Sequence, residues 1–222
     1  MTTNPRPTQM KHLLLALAAL IATQSVAYDH PLGSHAIREA YFIGSDNKFA
    51  EVLTIYTKNL PAPGTGPDVA QVEVRTPFAQ VIVNSHDHSV GYSAQQAAQD
   101  YKKNPDTIQV RVQIRATASF AIDSLAAAPQ VPCQGVQRMN AVNQCFRDFQ
   151  FRFRQGEEIK PKSSYGVPIY NGGGDGGSSI LVAGDIWFTF STADIASAPL
   201  RVTVFTPDGQ EVSAEFDLTA LR

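Results

Sequence analysis

One short stretch of this chain combines residue types suited to metal chemistry, His86-Asp87-His88. Imidazole nitrogens and carboxylate oxygens are the donors that zinc-type ions take. In an extended backbone, side chains two apart share a face, which would aim both imidazoles at one ion. A working site needs three or four protein ligands, so more donors must come from elsewhere. The other histidines after residue 27 are His30 and His35, next to Asp29. A divalent metal, the only cofactor the sequence suggests, therefore requires the N-terminal segment to fold back over His86 and His88. Metal-bound water there would make the protein a hydrolase. The competing reading, which we prefer, is that His86 and His88 belong to an ordinary surface loop.

Other residues suggest binding rather than bond-making. Arg111, Arg115, Arg152 and Arg154 occupy the polar positions of two alternating segments and would form a basic strip if those segments are neighbouring strands. Such a strip suits an acidic ligand. The plainer alternative is a solvated sheet face screened by Glu157, Glu211 and Glu215. Tyr165 and Tyr170 flank a segment containing Gly166 and Pro168, read as a loop, and would offer rings to a sugar or peptide. The run Asn171 to Ser179 is rich in glycine but lacks the lysine of a phosphate loop, which leaves a flexible connection between strands. No nucleophile elbow, His-Glu-x-x-His, Gly-Lys-Ser/Thr or Cys-x-x-Cys motif occurs, so no catalytic residue is assigned.

The chain opens like an export precursor. Residues 1–12 carry Arg6 and Lys11 and no acid, Leu13 to Ala22 is an unbroken apolar run, and Ser25 and Ala27 are small residues placed for signal cleavage. Ten apolar residues are too few to cross a bilayer core, which takes about 20. Residues 1–27 are therefore expected to be a secretory signal peptide, with residues 28–222 forming one secreted or periplasmic domain. Removing Arg6 and Lys11 from the 18 basic residues leaves 16 against 20 acids, a balance of −4. That balance favours neither nucleic acid nor an anionic membrane. Cys133 and Cys145 are the only cysteines. In an oxidising compartment they are expected to pair and to stabilise the fold by about 3 kcal/mol on the chain-entropy model.

These residues must be positioned by a mostly β framework. An N-terminal helical pair is expected over residues 34–58, with Ser34 capping the first helix and Gly44 ending it. Phe49, Val52, Leu53 and Tyr56 mark the stripe of the second. After Pro67 the period shifts to two. Val72 and Val74 alternate with polar neighbours, Phe78 to Val83 reads as a further strand, and Ile108 to Ala118 alternates throughout. One helix interrupts the strands: Ser93 with Gln96 begins it, and Pro105 follows its end. Phe149, Phe151 and Phe153 alternate with polar residues, and Ile180 to Phe190 becomes apolar on both faces, as suits an interior strand. Val202 and Val204 pair through Pro207-Asp208-Gly209 with Val212 to Leu218. About seven strands of this kind suit a β-sandwich.

The expected product is a secreted or periplasmic β-sandwich, non-catalytic, that binds a protein or another cell-envelope component. The alternative is the metal-dependent hydrolase built on His86 and His88. Intact-mass spectrometry of the exported protein is expected to match residues 28–222 with two hydrogens missing. A retained leader would remove the export reading, and a mass carrying both thiol hydrogens would remove the disulfide.

Overall fold

The computed structural model describes residues 28, 30–88, 90–104, 106–120, 146, 148–171 and 180–222, with side chains at 180 and 181 left aside. The proposed signal sequence, Asp29, both cysteines and residues 172–179 lie outside them. Two antiparallel sheets make up most of the fold. The first contains β1 (Thr57–Asn59), β2 (Asp68–Arg75), β3 (Thr107–Arg115), β6 (Ser163–Asn171) and β7 (Ile180–Ser191), in the order β1-β2-β3-β7-β6. The second contains β4 (Gln150–Gln155), β5 (Glu157–Ile159), β8 (Pro199–Phe205) and β9 (Glu211–Asp217), in the order β5-β4-β8-β9. The protein is a mainly β sandwich, as its alternating segments imply.

The strands bury every second residue. Ile108, Val110, Val112 and Ile114 are all withdrawn from solvent, while Gln109, Arg111 and Gln113 face the other way. Val72 and Val74 of β2, with Ile186, Phe188 and Phe190 of β7, extend that apolar surface. Phe153, Leu200, Val202, Val204, Ala214 and Phe216 meet it from the second sheet. The ring of Phe153 lies 4.8 Å from that of Phe188 and 4.9 Å from that of Phe190, tilted in each case as aromatic quadrupoles prefer. A fully buried side chain of this size contributes roughly 1.5–3 kcal/mol, so this interior dominates the stability of the sandwich. Tyr28 is buried against the same core and donates its hydroxyl to the carbonyls of Thr192 and Ile195.

Among the described residues six of the expected strands are present, and three more bring the strands to nine. β1 and β5 are three residues long and polar, so they carry little periodic signal. β6 contains Gly166 and Pro168, which disguise a strand as a loop. Among the described residues β6 pairs with β7 alone, and an edge strand tolerates a residue without an N–H donor.

Phe78 to Val83 is helical, contrary to the strand expected from its β-branched residues. It lies in α3 (Pro77–Asp87). The Thr76 hydroxyl accepts from the amide of Ala79, and Pro77 stands at the first helical position, where its fixed φ favours a helix. Phe78, Val81, Ile82 and Ser85 are buried at helical spacing, a stripe that a short apolar run conceals. The helix inserted before β3, α4 (Ala94–Lys103), begins at Ser93 as expected, with the Ser93 hydroxyl accepting from the Gln96 amide at 3.2 Å.

The N-terminal pair also differs in detail. α1 (Ser34–Ser45) is preceded by Gly33, with no side-chain cap, and runs through Gly44. α2 (Phe49–Leu53) is one short turn followed by a 3-10 turn, Thr54–Tyr56. Tyr56 enters the sandwich core, and Leu53 touches both that core and a second one formed by the helices. The second core contains Leu32, Ala36, Ile37 and Ala40 with Phe78, Val81, Ile82 and Ala97. Among the described residues, no helix is long and apolar enough to cross a membrane.

Gly44 is needed for a close helix crossing, not for a helix stop. A Cβ added there would overlap the carbonyl oxygen of Ile82 and approach the Ser85 Cβ to 2.8 Å. Gly44→Ala is expected to destabilise the fold by about 1–2 kcal/mol in urea unfolding. Overpacking against a backbone oxygen falls at the upper end of about 1–3 kcal/mol and so exceeds the ~1 kcal/mol that alanine gains in helix propensity. Unchanged or increased stability would show that α1 and α3 separate freely.

Candidate functional site

A cleft opens where α3 and α4 meet the beginning of β3. Its volume is about 290 Å³, at the small end of the range of roughly 300–1,000 Å³ usual for ligand pockets. Pro77, Gln80, Val81 and Asn84 line it from α3, and Ala97, Asp100 and Tyr101 from α4, with Asn104 just after its end. Helical spacing creates both walls, because residues three and four apart share a face. Tyr92 borders it ahead of α4, and Asp106, Thr107 and Gln109 close it at the sheet.

Hydrogen bonds brace these walls. The Gln80 side-chain amide donates to the carbonyls of Arg75 at 3.1 Å and Thr107 at 2.6 Å, pinning α3 to the adjacent ends of β2 and β3. Tyr101 donates to the Asp106 carboxylate and accepts from the Leu32 amide at 2.8 Å. Tyr92 donates to Asp100 at 3.2 Å, and the other Asp100 oxygen accepts from Gln96 at 2.9 Å and from Lys103 at 3.2 Å. Asn104 donates to the Asp100 carbonyl at 2.9 Å. The side-chain amides of Asn84 and Gln109 have no hydrogen-bond partner among the described residues.

The titrating groups of the wall are shifted by their surroundings. Burial, aided by the negative charge of Asp100, pushes the Tyr92 hydroxyl up to about 12. Burial and the bond to Asp106 push Tyr101 up to about 12. Asp100 moves below the usual carboxylate range, chiefly because Lys103 donates to it and also through Gln96 and Tyr92. Each of these groups is moved away from neutrality, whereas a general acid or base works best near the operating pH.

A second polar constellation lies on the outer face of the five-stranded sheet. Strand register places Glu73, Arg111, Trp187 and Tyr165 in one row across β2, β3, β7 and β6. Glu73 is only 3% exposed, and its carboxylate meets the Nε atoms of Arg75 at 2.5 Å and Arg111 at 2.8 Å. Arg111 also meets Asp185 at 3.3 Å and bonds Gln71. The Arg75 guanidinium lies 4.5 Å from the Trp187 ring centroid, and Tyr165 stacks on Trp187 with planes 10° apart. Two arginines face two carboxylates, so the row is internally balanced. The sequence leaves Trp187 undecided between core and exposed face, because it lies where the strand is apolar on both sides.

The four arginines singled out in the sequence do not form one strip. Arg111 and Arg115 lie on β3 in the first sheet, and Arg152 and Arg154 on β4 in the second. Similar alternation in two segments says nothing about whether they are neighbours. Arg115 bonds Gln113 at 3.0 and 3.2 Å, while Arg152 approaches Glu158 at 3.6 Å and lies over the Phe205 ring. Arg154 is exposed. Tyr170 packs against the sandwich core.

The histidines engage separate neighbours. His86 sits in the last turn of α3 and stacks on Phe49 at 3.4 Å, while His88 caps the helix, with its Nδ1 2.8 Å from the Asn84 carbonyl. The extended geometry that would have aligned the two imidazoles is replaced by a helix end. His30 stacks on Tyr28, and His35 approaches Glu39 at 3.8 Å. Among the described residues, no three His, Cys, Asp or Glu side chains are placed to share an ion.

Comparison with protein-family models, with curated proteins and with solved structures finds no match for this chain.

The raised tyrosines dictate a dependence on alkaline pH. Tyr92 and Tyr101 stand at about 12, as does buried Tyr28, against about 10 in an unfolded chain. Between those values the unfolded state loses protons that the folded state keeps. Stability from these groups is therefore fully present below about pH 10 and declines from about pH 10 to 12. Urea unfolding should show lower stability at about pH 11 than at about pH 9. Tyr92→Phe combined with Tyr101→Phe should flatten the decline, and an unchanged slope in that variant would contradict the assignment.

Proposed function

We propose that this chain is an exported, non-catalytic binding protein of the cell envelope or its surroundings, and that a small ligand or a projecting part of a larger partner seats in the cleft between α3, α4 and β3. The observation that carries this reading is the braced polar wall, in which Tyr92, Asp100, Tyr101 and Asp106 are fixed by one another around an open volume of about 290 Å³. Side chains already held in place lose little further freedom when a ligand arrives. The shifts of Tyr92, Tyr101 and Asp100 away from neutrality support binding without catalysis.

Export is supported by the order of basic, apolar and small residues ahead of Tyr28. Tyr28 itself is a core residue, so a chain beginning there would keep its anchor to Thr192 and Ile195. The metal-dependent hydrolase has weaker support, since His86 and His88 occupy different surroundings at the end of α3.

An amide-resolved NMR titration with a mixture of small-molecule fragments tests the cleft. Resonances of Gln80, Asn84, Asp100, Asn104 and Gln109 are expected to move first and to saturate. Shifts confined to another surface, or none at all, would overturn the assignment.

A further inference from the structure

We infer that the cleft takes a polyhydroxylated, uncharged ligand, a sugar ring or the terminal residue of a glycan. The inference rests on the cleft being a binding site and specifies what it binds. It begins with the hydrogen-bonding capacity left after the wall has satisfied itself. The carboxamides of Asn84, on α3, and Gln109, on β3, are uncommitted among the described residues. Asn104 uses its NH2 group on the Asp100 carbonyl, which leaves its side-chain oxygen, and Asp106 receives Tyr101 on one oxygen only.

A carboxamide offers a donor and an acceptor side by side, and a hydroxyl is itself both donor and acceptor. Neighbouring hydroxyls of a sugar therefore match planar amides and carboxylates without leaving a charge unpaired. Tyr92 and Tyr101 add aromatic surface to the same wall. The electron-rich face of such a ring attracts the slightly positive C–H groups of a sugar's apolar side.

Other ligand classes fit less well. An anion would meet Asp100 and Asp106 on the wall. A cation would compete with Lys103, which already neutralises Asp100, and with the hydrogen bond from Tyr101 to Asp106. A purely apolar ligand would bury the Asn84 and Gln109 amides without partners, and a buried unpaired polar group is costly. The volume of about 290 Å³ limits the seated part to a small unit, near the lower bound of roughly 300 Å³ for ligand pockets.

The test is an NMR titration of the full exported protein with glucose, galactose and N-acetylglucosamine, each at millimolar concentration, alongside spermidine and the fragment mixture. At least one sugar should shift the cleft amides saturably. Asn84→Ala and Gln109→Ala should each weaken that binding by about tenfold, the effect of losing one or two neutral hydrogen bonds. Both positions lie outside the helical and sandwich cores, and an unchanged melting temperature would confirm that each variant remains folded. If spermidine or fragments occupy the cleft while no sugar does, the sugar inference falls and the binding cleft stands. If no probe reaches the cleft, both fall. Sugar binding that is equally tight in both variants would also overturn the inference.

Discussion

The two-residue period of β3 is the constraint on which the other parts of this structure depend. Ile108, Val110, Val112 and Ile114 point into the sandwich and are fully withdrawn from water. The intervening Gln109, Arg111 and Gln113 must then point outward, because successive side chains of a strand take opposite faces. A register slip of one residue would bring Arg111 into the core and expose the valines. β3 lies between β2 and β7, so its register also aligns those strands. The same alternation places Gln109 at the cleft and Arg111 beside Glu73, Asp185 and Trp187.

The helices are an elaborated connection between β2 and β3. α3 leaves β2 through the Thr76 cap, and α4 returns the chain to Thr107. A direct hairpin would need only a few residues, but this excursion adds a second apolar core and a concave surface. Gln80 holds the excursion to the sheet at Arg75 and Thr107. α1 covers the pair from the other side. Its position is secured by the close approach of Gly44 to Ile82 and by the ion pair between Glu39 and Arg222 at 2.6 Å. The Arg222 carbonyl accepts from Tyr56 and Thr76, so the end of β2, the cap of α3 and the last residue meet in one place.

The outer sheet face and the cleft solve different electrostatic problems. Glu73 is buried on a face that would otherwise be solvated, and it is stabilised by two guanidinium groups. Removing one member of such a buried group costs about 3–5 kcal/mol, although a hydrophobic replacement of the whole set is often neutral. The arrangement ties the outer side chains of β2, β3 and β7 to one another. In the cleft the charges are fewer and nearer to solvent. There the rigid elements are tyrosine–carboxylate hydrogen bonds, and the side-chain amides of Asn84 and Gln109 are uncommitted among the described residues.

The sequence by itself determined whatever depends on neighbours along the chain. The alternation of β3, the cap of α4 at Ser93 and the Pro-Asp-Gly turn joining β8 and β9 are local patterns, and each is present in the fold. The α3 helix was also encoded locally, in Thr76-Pro77 and in the buried stripe of Phe78, Val81, Ile82 and Ser85. The β-branched residues Val81, Ile82 and Val83 obscured that signal, because a short, mostly apolar segment suits either period. Only tertiary structure decided which alternating segments became neighbours. It separated Arg111 from Arg152 into different sheets, and it brought Glu73, Arg111, Trp187 and Tyr165 into one row. It also formed the cleft, whose walls come from two helices and a strand. Sequence periodicity records which way a side chain faces, whereas the group it meets there is set by strand order and helix docking, which bury the apolar faces together.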